Sequence, residues 1–376
     1  MWNNLPLDLL ARVFSFLSPD SLARATAACK HWRACARTFS SYTVSVETDC
    51  CCHPPWFLAM HTRNHRGFSF YVHNPSFDRW HLLPLDFLPD PIRPVAPIGS
   101  LLLYRPAVSS PLQLGLCNLF TRHYRVLPSL TTPRTNPAVG VVGVDKTRDD
   151  ASPSSFRVYV AGGMSTTPRR GTTYEATLEM YDSRVDKWQS LGWMPIEFAV
   201  RLTVWTPNES VYSDGVLYWM TSARAYSVMG FQVSTGLWKE VKVPKADQLE
   251  FASLVRRKGR LALVGGDCMG EACIWELGVG DQWMLLEMVP VELGMRFLGG
   301  KRNWCSTKCV GIDEAVYLYR DLGSEMLVWR EVAVKGRWEW DWIEGCGSIR
   351  GEEVPKFPIK GMLLQPSLNP SYILDH

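Results

Sequence analysis

Histidine is missing from most of the chain, which restricts the chemistry that the protein could perform. The eight histidines lie at positions 31, 53, 61, 65, 73, 81, 123 and 376, so the stretch from Tyr124 to Asp375 contains none. Nucleophilic catalysis by a Ser/His or Cys/His pair would have to be assembled from the first third of the chain, and so would most transition-metal sites. We therefore expect no catalytic residue and no enzymatic activity of this kind.

Two closely spaced cysteine pairs could bind zinc. Cys268 and Cys273, together with Cys305 and Cys309, would supply the four thiolates of a tetrahedral site. Cys305 and Cys309 are an even number of residues apart on a predicted strand, however, so they share one face as small apolar residues. The run Cys-Cys-Cys-His at positions 50–53 points successive side chains to opposite sides of an extended chain. We expect neither a metal site nor a cofactor.

The composition predicts a folded protein that binds neither nucleic acid nor membrane. Hydrophobic residues make up 46% of the 376 residues and charged residues 20%. The net charge is +3, and the basic residues form no large cluster of the kind that nucleic acids attract. No apolar stretch reaches the roughly 18 residues that a transmembrane helix needs, and the first residues lack the pattern of a signal peptide. Eleven cysteines without the spacing of a disulfide framework favour a reducing compartment, the cytosol and/or the nucleus.

The first 40 residues have the pattern of a small helical unit. Apolar residues recur every three to four positions along one predicted helix, at Leu9, Leu10, Val13, Phe14 and Leu17. Ser18, Pro19 and Asp20 are residues typical of a helix start, so a second helix is predicted there. A unit of this size buries little surface by itself, so its apolar face either packs on the larger domain or docks a partner protein.

The same segment resembles the F-box along its whole length. It opens with Leu5-Pro6, continues with a hydrophobic helix that ends before a Ser-Pro turn, and closes with Cys29-Lys30-His31-Trp32. The resemblance implies that residues 1–40 dock on a Skp-type adaptor, and through it on cullin and RING subunits. By position, the adaptor-facing residues would be Leu5, Pro6, Leu9, Leu10, Val13, Phe14 and Leu17. Cys29 and Trp32 would hold the helices together.

Residues 41–376 contain a repeat. A polar residue precedes an aromatic by six positions from Asn74 to Trp80, Asn118 to Tyr124, Asp182 to Trp188 and Gln232 to Trp238, and Trp283 ends a less regular fifth copy. These aromatics are 44, 64, 50 and 45 residues apart. A four-stranded propeller blade has roughly 40–50 residues, and the longest step contains a polar insertion around residues 145–155. A sixth unit begins near Ala315. The repeat predicts a mainly β fold, a β-propeller of about six blades, with the tail around residues 357–364 supplying a strand to the first blade.

Two of these units resemble the kelch motif, in which a strand ends in a glycine pair and is followed by a spaced Tyr and Trp. The matching residues are Gly162, Gly163, Tyr181 and Trp188 in one unit, and Gly265, Gly266, Trp275 and Trp283 in the other. The chain as a whole resembles the F-box/kelch-repeat proteins of the plant type. By this resemblance the eight residues have a structural role.

The resemblance implies the substrate-recognition subunit of an SCF-type (cullin–RING) E3 ubiquitin ligase. Such a subunit is not an enzyme; it would act by proximity, holding a protein substrate near the charged ubiquitin-conjugating enzyme. Two alternatives remain open from the sequence. One is a kelch-propeller enzyme with a helical leader, and the other is an F-box protein in a non-proteolytic regulatory complex.

Departures from the repeat indicate where a substrate could bind. The longest are the polar segments 145–155 and 165–177, which we expect to be loops. The second contains Arg169, Arg170 and Tyr174, residue types enriched at interaction hot spots, although an unpartnered surface loop would have the same composition. Three aromatics outside the repeat register, Trp193, Trp205 and Tyr226, are further candidates for exposed contacts.

Overall fold

The structure is a computed structural model. From residue 54 onward it consists mainly of short β-strands. The described residues are 9–10, 13–14, 17, 19–35, 54–62, 69–108, 110–143, 155–167, 171–204, 210–222, 225–300, 303–332, 336–349 and 351–367. In the N-terminal part, Leu9, Leu10, Val13 and Phe14 are helical, helix α1 spans Pro19–Ala28, and residues 30–35 are helical again.

The strands follow one another in groups that form antiparallel sheets, here called blades. Blade 1 contains β1 (Trp56–His61), β2 (Ser69–Asn74) and β3 (Arg79–Pro84). Blade 2 contains β4 (Ile92–Ile98), β5 (Leu101–Pro106), β6 (Gly115–Asn118) and β7 (His123–Val126). Blade 3 begins with β8 (Ala138–Gly143) and β9 (Phe156–Ala161); after a separate hairpin of β10 (Met164–Thr167) and β11 (Gly171–Tyr174), it ends with β12 (Thr177–Asp182) and β13 (Lys187–Trp193).

Helix α2 (Ile196–Val204) leads to the second half of the ring. Blade 4 contains β14 (Ser210–Ser213), β15 (Val216–Ser222), β16 (Tyr226–Gln232) and β17 (Trp238–Lys242). Blade 5 contains β18 (Leu249–Arg257), β19 (Arg260–Asp267), β20 (Ala272–Leu277), a 3-10 turn (Val279–Asp281) and β21 (Trp283–Met288). After helix α3 (Val291–Phe297), blade 6 contains β22 (Lys308–Ile312), β23 (Ala315–Tyr319), β24 (Met326–Val332) and β25 (Arg337–Ile343), followed by the hairpin β26 (Ser348–Ile349) and β27 (Glu352–Glu353) and by β28 (Ile359–Leu364).

The last strand closes the ring. β28 pairs antiparallel with β1, with Phe57 opposite Leu363 and His61 opposite Ile359, so it becomes the first strand of blade 1. The first strands of the six blades formed by the described residues, β28, β4, β8, β14, β18 and β22, contact one another in that cyclic order. The predicted six blades and the predicted closing strand are confirmed. Joining the chain ends within one sheet leaves blade 1 with the same four strands as the others.

The position of a strand in its blade determines its burial. The second strands are apolar on both sides, as in Leu261–Val264 of β19, because each blade packs between two neighbours. The fourth strands carry alternating or mostly exposed residues, as in β13 and β21. The core is therefore a series of apolar layers between adjacent blades.

The connections divide between two faces of the ring. Neighbouring strands of a blade run in opposite directions. The connection from the second to the third strand therefore lies on the face where the first strands begin, and so does the link from one blade to the next. We call this the long-connection face. It carries the hairpins β10–β11 and β26–β27 and the helices α2 and α3. The opposite, tight-turn face has two-residue turns such as Asp214-Gly215 and Lys258-Gly259, where φ is positive at both positions, as type I′ hairpins require.

The polar residue of the repeat caps the turn before the outer strand. Asn74 Oδ1 accepts a hydrogen bond from the amide of Ser76 at 3.0 Å, and Asp182 Oδ1 accepts one from the amide of Arg184 at 2.9 Å. A side chain that mimics a backbone acceptor in this way stabilises a tight turn. The predicted strand, turn and strand order of the repeat is confirmed.

Candidate functional site

The helical unit has its own small core. Leu10 is 1% exposed and Phe14 is 5% exposed, and both pack with Ala25 and Cys35. The ring of Phe14 meets the ring of Trp32 edge to face, with 5.6 Å between centroids. These contacts hold the first helical residues against the following helices.

Only part of the predicted adaptor surface is therefore exposed in this structure. Leu9 and Val13 are 48% and 45% exposed, whereas Leu10 and Phe14, predicted for the same surface, are core residues of the unit. Leu17 is half-buried, and Leu5 and Pro6 lie outside the described residues. The periodicity could not separate the two sets, because positions i, i+4 and positions i+1, i+5 form adjacent stripes on one helix.

The first kelch-like unit places its aromatics between blades. Tyr181 is fully buried on β12, where its hydroxyl donates to Asp186 Oδ1 at 2.7 Å. Burial, with a smaller contribution from Asp186, raises the pKa of Tyr181. Its ring packs against Phe156 and Trp188, which belong to the layer between blades 2 and 3. In the second unit, Trp275 is buried and Trp283 is half-buried in the layer between blades 4 and 5.

The two glycine pairs serve different physical needs. Gly162 and Gly163 follow β9 with φ of 67° and 98°, a conformation that residues with a Cβ rarely adopt. Gly265 and Gly266 lie inside β19 with ordinary strand backbone, but a Cβ on Gly266 would lie 2.5 Å from Trp304 Cγ. One pair is needed for backbone conformation and the other for space.

A buried ion pair beside the first glycine pair was not predicted from the sequence. Arg134 and Glu179 are each 1% exposed, and Arg134 Nη2 donates to Glu179 Oε1. Arg134 Nη1 also donates to the carbonyl oxygens of Gly162 at 3.0 Å and Thr177 at 3.1 Å. The Glu179 carboxylate accepts two further backbone amides, from residues 131 and 132. The network attaches the link between blades 2 and 3 to β12, and no local sequence pattern marks its members.

The predicted substrate contacts occupy different environments. Tyr174 is 41% exposed on β11, and Trp193 is 84% exposed at the end of β13. Tyr226 is half-buried and borders a cavity instead of standing free, with its hydroxyl 3.4 Å from the carbonyl oxygen of Glu250. Arg169, Arg170 and Trp205 lie outside the described residues, as does the segment 145–155 apart from Ser155.

The segment 165–177 is not the loop that we expected. Met164–Thr167 pairs with Gly171–Tyr174 to form a two-stranded ribbon, and Ser165 Oγ donates to Glu175 Oε2 at 3.0 Å. Threonine-rich segments favour strands, so the polar composition that indicated a loop is also compatible with this ribbon. The ribbon lies on the long-connection face, and Tyr174 is at its base, opposite Met164.

Among the cavities formed by the described residues, two that open on the long-connection face meet at the centre of the ring. One of about 270 Å³ lies among blades 1, 2 and 3, and another of about 530 Å³ lies among blades 4, 5 and 6. Both include Thr62 and Lys360, so they adjoin at the centre of the ring. In the larger cavity Lys308 Nζ donates to the carbonyl oxygen of Ile359 at 2.6 Å, and the Glu250 carboxylate accepts the amide of Trp304 at 2.6 Å.

Comparison with known proteins shows which proteins the chain is similar to. The F-box-like family profile matches residues 2–43. Protein UNUSUAL FLORAL ORGANS of Arabidopsis thaliana is 25% identical over 92% of this chain and 79% of its own length. F-box only protein 6 of the same plant is 24% identical, over 94% of this chain and 72% of its own length. An Arabidopsis F-box/kelch-repeat protein is 23% identical, over 97% of this chain and 89% of its own length.

The predicted resemblance to the plant F-box/kelch-repeat proteins is confirmed by the F-box-like match and by these Arabidopsis relatives. The combination of an F-box-like segment and a six-bladed propeller supports a general role as a receptor in an SCF-type complex. Among the residues that the structure describes, no helix has the length and apolar character that a membrane crossing requires.

The cysteine pairs do not come together as a metal site in the described parts of the chain. Cys268 and Cys305 are exposed, whereas Cys273 and Cys309 are buried. Within those parts, no group of three or more His, Cys, Asp or Glu side chains is placed to hold a metal ion.

Proposed function

We propose that this protein, which resembles the plant F-box/kelch-repeat proteins, is the substrate-recognition subunit of an SCF-type (cullin–RING) E3 ubiquitin ligase. Residues 1–40 bind a Skp-type adaptor, and residues 41–376 bind the protein to be ubiquitinated. The subunit acts in the cytosol and/or the nucleus and contributes no bond-making residue. It accelerates transfer by holding a substrate lysine near the charged ubiquitin-conjugating enzyme, which makes the step effectively intramolecular.

The exposed pair of the helical unit supports the adaptor contact. Leu9 and Val13 are about half exposed and lie one turn apart, next to the buried core residues Leu10 and Phe14. Full burial of an aliphatic side chain against a partner is worth roughly 1.5–3 kcal/mol. Together with Leu5 and Pro6, which precede them in sequence, they form the contact surface in this proposal.

The substrate contact is supported chiefly by the position of the chain ends, because the chain enters and leaves the propeller on the same face. The chain enters the propeller at Trp56, on the tight-turn face, because β1 runs antiparallel to β28. The residues after β28 return to that face, where the amide of Gln365 donates to the carbonyl oxygen of Gly99. Both ends of the described propeller therefore lie on the tight-turn face, and we assign the substrate to the opposite, long-connection face, with its ribbon, helices and cavities.

Affinity purification from the native tissue tests the proposal. The tagged full chain should recover a Skp-type adaptor and a cullin together with a further protein, and the purified complex should ubiquitinate that protein when supplied with activating and conjugating enzymes. Recovery of the adaptor without any ubiquitinated protein would instead favour the non-proteolytic regulatory complex. Recovery of neither adaptor nor cullin would contradict the proposed function.

A further inference from the structure

The smaller cavity of the long-connection face is bordered by the ends of five strands. His61 is the last residue of β1, Lys360 is near the start of β28, Arg93 is near the start of β4, and Arg105 is near the end of β5. Pro137 and Val139, at the start of blade 3, complete its far wall. The cavity is therefore assembled from three blades, and it measures about 270 Å³.

The lining of this cavity is basic. Arg93, Arg105 and Lys360 carry positive charge, and the imidazole of His61 lies beside them. None of the described residues that line the cavity is an aspartate or a glutamate. A concave surface with charges of one sign concentrates the electric field within it and attracts ligands of the opposite sign.

Arg93 and Arg105 face each other directly across the β4–β5 ladder. Like charges in this arrangement destabilise a sheet. Burial, with a further contribution from Arg93, lowers the pKa of Arg105, which reflects the energetic cost of keeping its charge there. Among the described residues neither arginine has an acidic partner within ion-pair distance, whereas arginines elsewhere in the blades do, as in the pairs Arg256–Asp313 at 2.6 Å and Arg157–Asp182 at 3.1 Å.

We infer that this cavity receives an anionic side chain of the substrate protein, either a phosphorylated residue or a carboxylate. The inference rests on the proposed function and specifies the chemical class of its substrate. An anion between Arg93 and Arg105 would replace their repulsion by two charge-assisted hydrogen-bonded contacts, and guanidinium groups match the geometry of phosphate and carboxylate oxygens. Lys360 would add a third positive charge from the closing strand.

Peptide arrays test the inference. The full chain, purified as a complex with a Skp-type adaptor, is applied to peptides with randomised flanks and a central phosphoserine, glutamate or serine. We expect phosphoserine peptides to be retained more strongly than serine peptides by about tenfold or more. Equal retention of glutamate peptides would identify acidic sequence as a sufficient source of the anion. Equal retention of serine peptides would overturn the inference.

Charge-reversal variants locate the binding to the cavity. Arg93→Glu places a carboxylate opposite Arg105, so the fold should keep its thermal midpoint while the preference for anionic peptides is lost. Arg79→Glu makes the same charge change at an exposed arginine of β3, away from the cavity, and should leave the preference intact. If R93E retains the preference, or if R79E loses it as well, the cavity is not the site.

Adaptor recovery is measured on the same preparations, so the two proposals fail separately. A complex that forms with the adaptor but does not distinguish the peptides contradicts the cavity alone. A chain that does not retain the adaptor contradicts the proposed function, whatever the arrays show.

Discussion

The indole N–H of Trp188, at the start of the outer strand of blade 3, donates a hydrogen bond to the carbonyl oxygen of Pro128, just after blade 2, over 2.8 Å. The same contact recurs from Trp80 to Glu344 at 3.0 Å and from Trp283 to Lys242 at 2.7 Å, each time reaching the end of the preceding blade. In these three blades the tryptophan of the repeat thus ties the outer strand to the end of the preceding blade, which gives a physical reason for its position there.

Replacing Trp188 by Phe should lower stability. The change removes the indole donor and leaves the Pro128 carbonyl without this partner. The lost hydrogen bond should lower the free energy of unfolding by about 1 kcal/mol, and the lost packing should lower it further. Trp193→Phe is the matched control, because Trp193 is 84% exposed and should tolerate the change. Urea unfolding of both variants measures the difference; equal midpoints would show that the hydrogen bond between blades is dispensable.

The buried ion pair predicts a larger effect. Arg134→Met leaves the Glu179 carboxylate buried without its cation and should cost about 3–5 kcal/mol, whereas Arg296→Ala, in the exposed pair Arg296–Glu325, should cost about 1 kcal/mol or less. The double variant R134M/E179L should regain part of the loss, because it removes both charges. A thermal midpoint of R134M equal to that of R296A would contradict this account.

A methyl group at Gly266 should be poorly tolerated. Its Cβ would lie 2.5 Å from Trp304 Cγ and 2.6 Å from Phe251 Cε1, so Gly266→Ala should destabilise the protein by about 1–3 kcal/mol through overpacking. Gly143→Ala is the control, since no atom of the described residues, its chain neighbours apart, lies within 4 Å of its Cβ position and its φ is not positive. Chemical unfolding compares the two, and a neutral G266A would mean that the tryptophan can move aside.

The adaptor contact should depend on the exposed pair of the helical unit. Leu9→Asp with Val13→Asp should weaken adaptor binding about a hundredfold or more, because both side chains lose the burial that a partner provides. Val185→Asp with Leu237→Asp introduces the same charges at exposed apolar positions of the propeller and should leave binding unchanged. Titration of the adaptor by calorimetry, with circular dichroism as a check on folding, decides; unchanged affinity of L9D/V13D would refute the proposed surface.

Tyr174 offers a test of which face binds the substrate. If the long-connection face is the binding surface, Tyr174→Ala should reduce substrate recovery in affinity purification, by tenfold or more for a hot-spot residue. Tyr124→Ala, on the outer strand of blade 2, removes an equally exposed ring, 40% against 41%, and should leave recovery unchanged. Loss of recovery with Y124A alone would move the binding surface to the edge of the ring.

Sequence alone determined the order of the parts. Apolar periodicity and capping residues gave the helical unit, because a helix buries residues that are three or four apart in the chain. The six-residue spacing from the polar residue to the aromatic predicted the hairpins, because the turn, its capping residue and the first residues of the outer strand are neighbours in the sequence. The closing strand could also be predicted, because a ring of blades must satisfy its last sheet edge.

Tertiary structure alone decided which residues meet. Lys360 reaches the cavity of Arg93 and Arg105 because β28 pairs with β1, where its partner is Met60, 300 residues earlier in the chain. The pairing of Arg134 with Glu179, and the burial of Leu10 while Leu9 stays exposed, likewise follow from how whole elements pack. Local patterns describe which residues share a face of one element, whereas a site built from the ends of strands in several blades exists only once the ring has closed.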